Sequence, residues 1–195
     1  MKKFLSAIMA IGMTAAAFAA DTIYRGDSTD AKDVICYFQG GKFYADAARK
    51  EVLYSHPGNM VSREATAKAD NCIYRLMNDK IFNGYSNKPE DCIATIVPVK
   101  EVKGDVVVAK IYPGFVMVRD KVENRIKGGT ELTSYNVTRE GGVNVEDIPV
   151  LYTVADNKIF KGDSTNPEDC LLTFTGSFNS SRLLFMAVEL TKPAE

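Results

Sequence analysis

Apolar and polar positions alternate along this chain in short bursts, and the bursts recur. The clearest unit runs from Val150 to Thr175, VLYTVADNKIFKGDSTNPEDCLLTFT. An ungapped copy lies 78 residues earlier, from Cys72 to Val97, and 11 of the 26 paired positions are identical. A looser copy covers Thr22–Phe38. Within the units sits a core of the form K/T-I-Y/F-x-G, at Thr22–Gly26, Lys80–Gly84, Lys110–Gly114 and Lys158–Gly162, with a faded version in Lys42–Ala45. Runs such as Ile73–Leu76 and Leu151–Val154 are aliphatic, aromatic and β-branched, which suits a pleated surface. Asn78-Asp79 and Asp156-Asn157, between such a run and K-I-F, tolerate left-handed backbone angles and predict tight hairpin turns. Each unit therefore reads as strand, turn, strand, glycine bend, polar loop, then a new strand beginning at Cys92 or Cys170.

Between the copies the pattern weakens. Asp46–Lys50 and Arg63–Asp70 predict short helices or surface loops. Asp105–Tyr112 predicts a buried strand, followed by a turn at Pro113-Gly114 and a further strand in Phe115–Val118. Arg119–Gly129 predicts a solvated connection or a short helix. Glu131–Thr138 and Val143–Val154 predict strands around Glu140-Gly141-Gly142, and Arg182–Leu190 predicts a nearly continuous apolar closing strand. The fold class is all-β, mainly antiparallel hairpin repeats arranged as a sandwich, barrel or short solenoid-like stack, with minor short helices. One β-rich domain over residues 20–195 is expected.

The polar loop has a physical explanation of its own. In Gly162–Asp169 the glycine ends a strand at angles other residues resist. Asp163, Ser164 and Thr165 can fold onto nearby backbone amides, Pro167 fixes the exit, and Asp169 can cap it. Gly84–Asp91 and Gly26–Asp33 keep the glycine, the serine and the final aspartate. With these features the repeat resembles that of uncharacterised exported bacterial proteins built from tandem units of about 20 residues of the form DGKIYRGDSTSxSDCLYTI. The resemblance covers Thr22–Phe38, Cys72–Val97 and Val150–Thr175. It implies a β-repeat fold and brings no catalytic motif with it.

Composition adds an address. Lys2 and Lys3, an apolar core over Phe4–Phe18 and the small residues of Ala17-Phe18-Ala19 read as a signal peptide cleaved after Ala19. The apolar stretch is too short for a spanning helix, which needs about 20 residues. A periplasmic or secreted protein with no membrane span after cleavage is expected. The 195-residue chain has a formal net charge of −1. Both signs are scattered, so no basic patch offers a nucleic-acid surface.

Four cysteines in an exported chain point to two disulfides. Cys72 and Cys92 are 20 residues apart. If that spacing is one strand-forming repeat, the two would lie on neighbouring strands about 4.8 Å apart, within reach of a disulfide. This predicts Cys72–Cys92 and leaves Cys36–Cys170; buried free thiols are the alternative.

Candidate chemistry is sparse. The single histidine, His56, sits in the turn-like YSHPGN and reads as a loop residue, with no G-x-S-x-G elbow and no zinc-ligand cluster beside it. Asp27, Asp30 and Asp33 in the first loop, and Asp163, Glu168 and Asp169 in the last, could offer oxygens to calcium. Tyr85 replaces the first aspartate of the middle loop, which favours loop capping over metal binding. Arg25-Gly26-Asp27 spells an integrin-recognition tripeptide, but its glycine belongs to the recurring bend. Tyr24, Tyr74, Tyr112 and Tyr152 recur at strand positions, where a cross-strand core ladder explains them as well as a sugar platform does. Glu168 and Asp169 are adjacent and make a poor acid/base pair. The expectation is an exported, non-enzymatic β-repeat protein without cofactors. It would engage an unknown protein or envelope partner. The alternative is a small-ligand or calcium-binding module using the GDST loops.

Overall fold

The computed structural model describes residues 20–100, 107–120, 135–139 and 148–192. The strands are β1 (Asp21–Arg25), β2 (Val34–Gln39), β3 (Lys42–Tyr44), β4 (Val52–Ser55), β5 (Met60–Val61), β6 (Tyr74–Met77) and β7 (Lys80–Asn83). They continue as β8 (Cys92–Lys100), β9 (Val107–Pro113), β10 (Val116–Asp120), β11 (Tyr135–Arg139), β12 (Tyr152–Ala155), β13 (Lys158–Lys161) and β14 (Cys170–Phe174). Helix α1 (Ser180–Phe185) runs on into a π-helical segment, Met186–Leu190.

Twelve strands form one antiparallel sheet in the order β4-β3-β2-β1-β14-β13-β12-β9-β8-β7-β6-β5, while β10 and β11 pair as a separate hairpin. The ends of that order meet where Ser55 and Ser62 exchange two backbone hydrogen bonds, of 2.9 and 3.0 Å. The result is a nearly closed barrel, and of the three expected arrangements this is the one observed. The predicted turns hold: Asn78, Asp79, Asp156 and Asn157 all have φ between 47° and 61°. The same rim carries the Gly40-Gly41 turn. The glycine-led polar loops lie on the opposite rim, because each strand crosses the barrel once.

Packing follows the alternation of the strands. Ile23, Phe43, Val61, Ile81, Ile111 and Ile159, one from each of six alternate strands, are fully buried and point inward. Val61 supplies a sixth repeat that the sequence hides. Its Asn59 carbonyl accepts from Leu76, as Asp79 accepts from Ile96 and Asn157 from Phe174. Four of these hairpins also share a β-bulge directly after the inward residue, at Ile23/Tyr24, Phe43/Tyr44, Ile81/Phe82 and Ile159/Phe160. The bulge gives the partner strand one extra residue, which tightens the local twist.

The interior is completed by the segment expected to be a closing strand. Arg182–Leu190 is helical, with the Asn179 side chain accepting from the Arg182 amide at the N-cap (3.0 Å). Leu184, Phe185, Met186 and Ala187 are all fully buried against the inward strand residues. A helix surrounded by sheet is apolar on nearly every side, so its sequence lacks the one-sided stripe that identifies a surface helix. Asp46–Lys50 and Arg63–Asp70 are loops. The predicted strands in Asp105–Tyr112 and Glu131–Thr138 are observed in part, as β9 and β11. Of Val143–Val154 only Tyr152–Val154 is strand, in β12, while residues 148–151 are irregular. Residues within 101–106, 121–134 and 140–147 lie outside the described residues, as does most of Arg119–Gly129.

The disulfide expectation is overturned: Cys36, Cys72, Cys92 and Cys170 are free thiols. A unit of about 20 residues is a two-stranded hairpin, so equivalent positions lie two strands apart. Cys92 faces Phe82 and Cys170 faces Phe160 across the ladder, and Cys72 precedes β6, with β7 between it and Cys92. Two strand spacings are ~9.6 Å, beyond the ~7 Å a disulfide spans. Cys36 faces the core beside Ile23 and is separated from Cys170 by β1. Burial pushes its thiol up to about 12, so little nucleophilic thiolate forms there. Mass spectrometry of the unreduced protein after denaturation in an alkylating reagent is expected to show four modified cysteines. In the native protein half-buried Cys72 is expected to react before Cys36.

Candidate functional site

The loop carboxylates Asp27, Asp33, Asp163 and Asp169 fall on one rim, and each is engaged with a neighbouring side chain. In three loops the serine donates to the closing aspartate at 2.6 Å: Ser28 to Asp33, Ser86 to Asp91 and Ser164 to Asp169. The same hydroxyls accept from the amides of Asp30, Lys88 and Asn166. A one-turn 3-10 helix then leads into the next strand. Asp33 and Asp169 thus accept from a serine hydroxyl, and it is the serine, not the aspartate, that takes the backbone amide; the 3-10 turns themselves carry no side-chain cap.

The residue after each glycine reaches sideways. Lys158 pairs with Asp27 at 2.7 Å and Lys110 with Asp163 at 2.8 Å. Lys80 lies 4.8 Å from the ring centre of Phe115, the residue after Gly114. At Tyr85 the partner is Arg75, 4.4 Å from the ring centre. The lysine of each K-I-Y/F core thus ties its hairpin to the next one round the barrel. Asp27 in the Arg25-Gly26-Asp27 sequence serves this tie. Asp30 has Lys32 at 3.8 Å, with both side chains largely exposed. Among the described residues, no three His, Cys, Asp or Glu side chains gather as a metal ion would need.

The strongest electrostatic feature lies elsewhere, where the central helix ends. The Glu189 carboxylate, 3 % exposed, accepts from Tyr54 (3.0 Å), Arg63 (3.2 Å), Tyr74 (2.6 Å) and Lys192 (2.6 Å). Lys192 also donates to the Tyr74 hydroxyl at 2.9 Å. Burial alone would raise the Glu189 pKa, but these four donors outweigh it and hold it at about 2. Burial, then the neighbouring carboxylate, pushes Tyr54 up to about 12 and raises Tyr74. Burial works against the Lys192 ammonium, and its bonds to Glu189 and Tyr74 raise its pKa nonetheless. No member of this cluster exchanges a proton near neutral pH, so it is built to hold rather than to transfer. Tyr54 comes from β4, whereas Arg63 and Tyr74 follow β5 and open β6. The carboxylate therefore clamps the place where the sheet closes through a single bridge.

His56, expected in a loop, is 3 % exposed directly after β4, its ring edge-on to Phe185. Beside the helix end, Leu151, Tyr152, Lys161, Leu171 and Thr191 line an open groove of about 360 Å³. Sequence patterning missed the Glu189 cluster because its members are scattered over 139 positions and meet only when the helix enters the barrel. The available signal was Arg182 and Glu189, two helical turns apart in an otherwise apolar run.

A family model described as 6-fold beta flower protein matches residues 9–111, more than half of the chain. No curated protein and no solved structure matches.

Replacing Glu189 by Ala takes the acceptor from the Tyr54 and Tyr74 hydroxyls at the barrel seam, while the exposed Arg63 and Lys192 turn to water. The expected loss is about 1–3 kcal/mol, the usual cost of leaving buried polar groups unpaired, read by denaturant titration. Because the folded pKa lies below the ordinary carboxylate value of 4.5, this contribution is present above pH 4.5. It falls away as the pH drops toward 2. The pH dependence of stability over that interval is expected to flatten in Glu189→Gln.

Proposed function

The chain belongs to the 6-fold beta flower protein family, and from that premise we propose that it is an exported, non-enzymatic β-repeat protein acting by contact with another molecule in the cell envelope or outside the cell. The observation that carries this reading is the filled interior. Larger barrels that hold ligands keep an open centre, whereas here Leu184, Phe185, Met186 and Ala187 occupy it. Contact is left to the rims and the outer face. Among the described residues Tyr85 is the exposed large hydrophobic side chain, at 50 %, so the partner would be met mainly through polar loop groups.

The first described strand, β1, starts at Asp21, so cleavage after Ala19 would leave every described strand in place. Ten of the twelve barrel strands have two to six residues, shorter than the ~9–11 of a membrane-crossing strand. Lys80, Lys110 and Lys158 form their ties on the outer face.

The test is fractionation of the native producer, followed by mass spectrometry and capture on the immobilised mature chain. The expected result is a mature N-terminus at Ala20 in the extracytoplasmic fraction. A partner should be retained by the native chain and lost, with the fold intact, in the rim variant Tyr85→Ala/Glu90→Lys. Full-length protein confined to the cytoplasm, or retention unchanged in the rim variant, would overturn the proposal.

A further inference from the structure

The two ends of the central helix are built differently. At its C-terminal end Glu189 has four donors, and its ionisation does not change between mildly acid and neutral pH. Against Phe185, where the N-terminal half of the helix ends, stands His56. Both ring nitrogens are buried with no hydrogen-bond partner, and the same is true of Arg182 Nε on the helix. The His56 ring packs 6.3 Å from that of Phe185, one helical turn beyond Arg182, and the Arg182 guanidinium lies 4.8 Å from the ring centre of Phe38. The backbone at His56 is fixed, because its amide donates to the Gly41 carbonyl at 2.7 Å. The ring itself is enclosed, since the residue is 3 % exposed and packs edge-on to Phe185.

We propose that His56 is an acid-sensitive latch, whose protonation releases the N-terminal half of the central helix from the barrel while the Glu189 cluster keeps the other half anchored. A neutral imidazole tolerates an apolar pocket poorly, and an imidazolium without an acceptor tolerates it far less. The charged group bearing on the ring from the helix is Arg182, of the same sign as the imidazolium. From the β2–β3 hairpin come the Gly41 carbonyl, already bonded to the His56 amide, and Lys42, another cation. On the strand before it Tyr54 is committed to Glu189, and the buried Ser55 hydroxyl has no hydrogen-bond partner. The acceptor nearest the ring is the backbone of His56 itself, which favours the imidazolium, but burial outweighs it and, with Arg182, lowers the imidazole pKa below 6.5. A released helix exposes His56 and restores the ordinary value, so release takes up a proton. The packed state is thus fully favoured above about pH 6.5 and loses ground as the pH falls below it.

Hydrogen exchange on the full chain at pH 7.5 and 5.0, corrected for the intrinsic pH dependence of exchange, tests this. Protection of the Leu184–Ala187 amides is expected to fall about tenfold at pH 5.0, because the released helix takes up a proton that the packed one does not. Strands β7 and β13 should stay protected. His56→Leu should keep the helix protected at both pH values. His56→Gln, which also cannot become charged, serves if the leucine variant does not fold. Unchanged protection in the native chain would overturn the latch, as would the same acid loss in both variants. So would simultaneous loss from β7 and β13, which would mark global unfolding.

Discussion

A barrel of twelve strands encloses more space than its own side chains can fill, and the rest of this structure answers that constraint. Eight strands already give an interior that side chains just pack. Here six alternate strands each send one fully buried apolar residue inward, and the remaining axial space is taken by α1 and its π-helical extension. Each fully buried Ile, Leu, Phe or Met contributes about 1.5–3 kcal/mol relative to exposure. Strands and helix share one apolar cluster, so neither is stable as drawn without the other.

Outside that cluster the architecture is held by small repeated devices. Thr95, Thr153 and Thr173 donate to the carbonyls of Gly114, Gly162 and Gly26 at 2.7–2.8 Å. The lysine ties run from hairpin to hairpin in the same sense. Single exposed ion pairs contribute little, but a repeated set in register fixes the angle between neighbouring hairpins. The cluster at Glu189 acts where the repetition fails, since β5 is two residues long and joins β4 through one bridge.

Much of this was legible in the residues. The K-I-Y/F-x-G cores, the Asn-Asp and Asp-Asn turns and the serine–aspartate loops all declare local geometry, and local geometry is what short-range chemistry encodes. Three features were not legible, for different reasons. The cysteines were misjudged because spacing along a chain does not say whether a unit is one strand or two. Arg182–Leu190 was read as a strand because a helix buried on all sides has no polar face to betray its period. Val61 and His56 were hidden because Met60–Val61 is too short to show a pattern, and His-Pro-Gly resembles an open turn until its first residue is seen beneath Phe185.

Within the sheet the earliest strand pairs with the latest: Ile23 of β1 lies opposite Phe174 of β14. While the chain is being made, the first hairpins have no lasting neighbour on one flank and no helix to surround. They must persist as an open ribbon, with bare strand edges and an apolar inner face, until the final segment arrives. Assembly is therefore a single late event governed by contacts distant in sequence, which makes it slow and vulnerable to edge-to-edge association before the ring is complete.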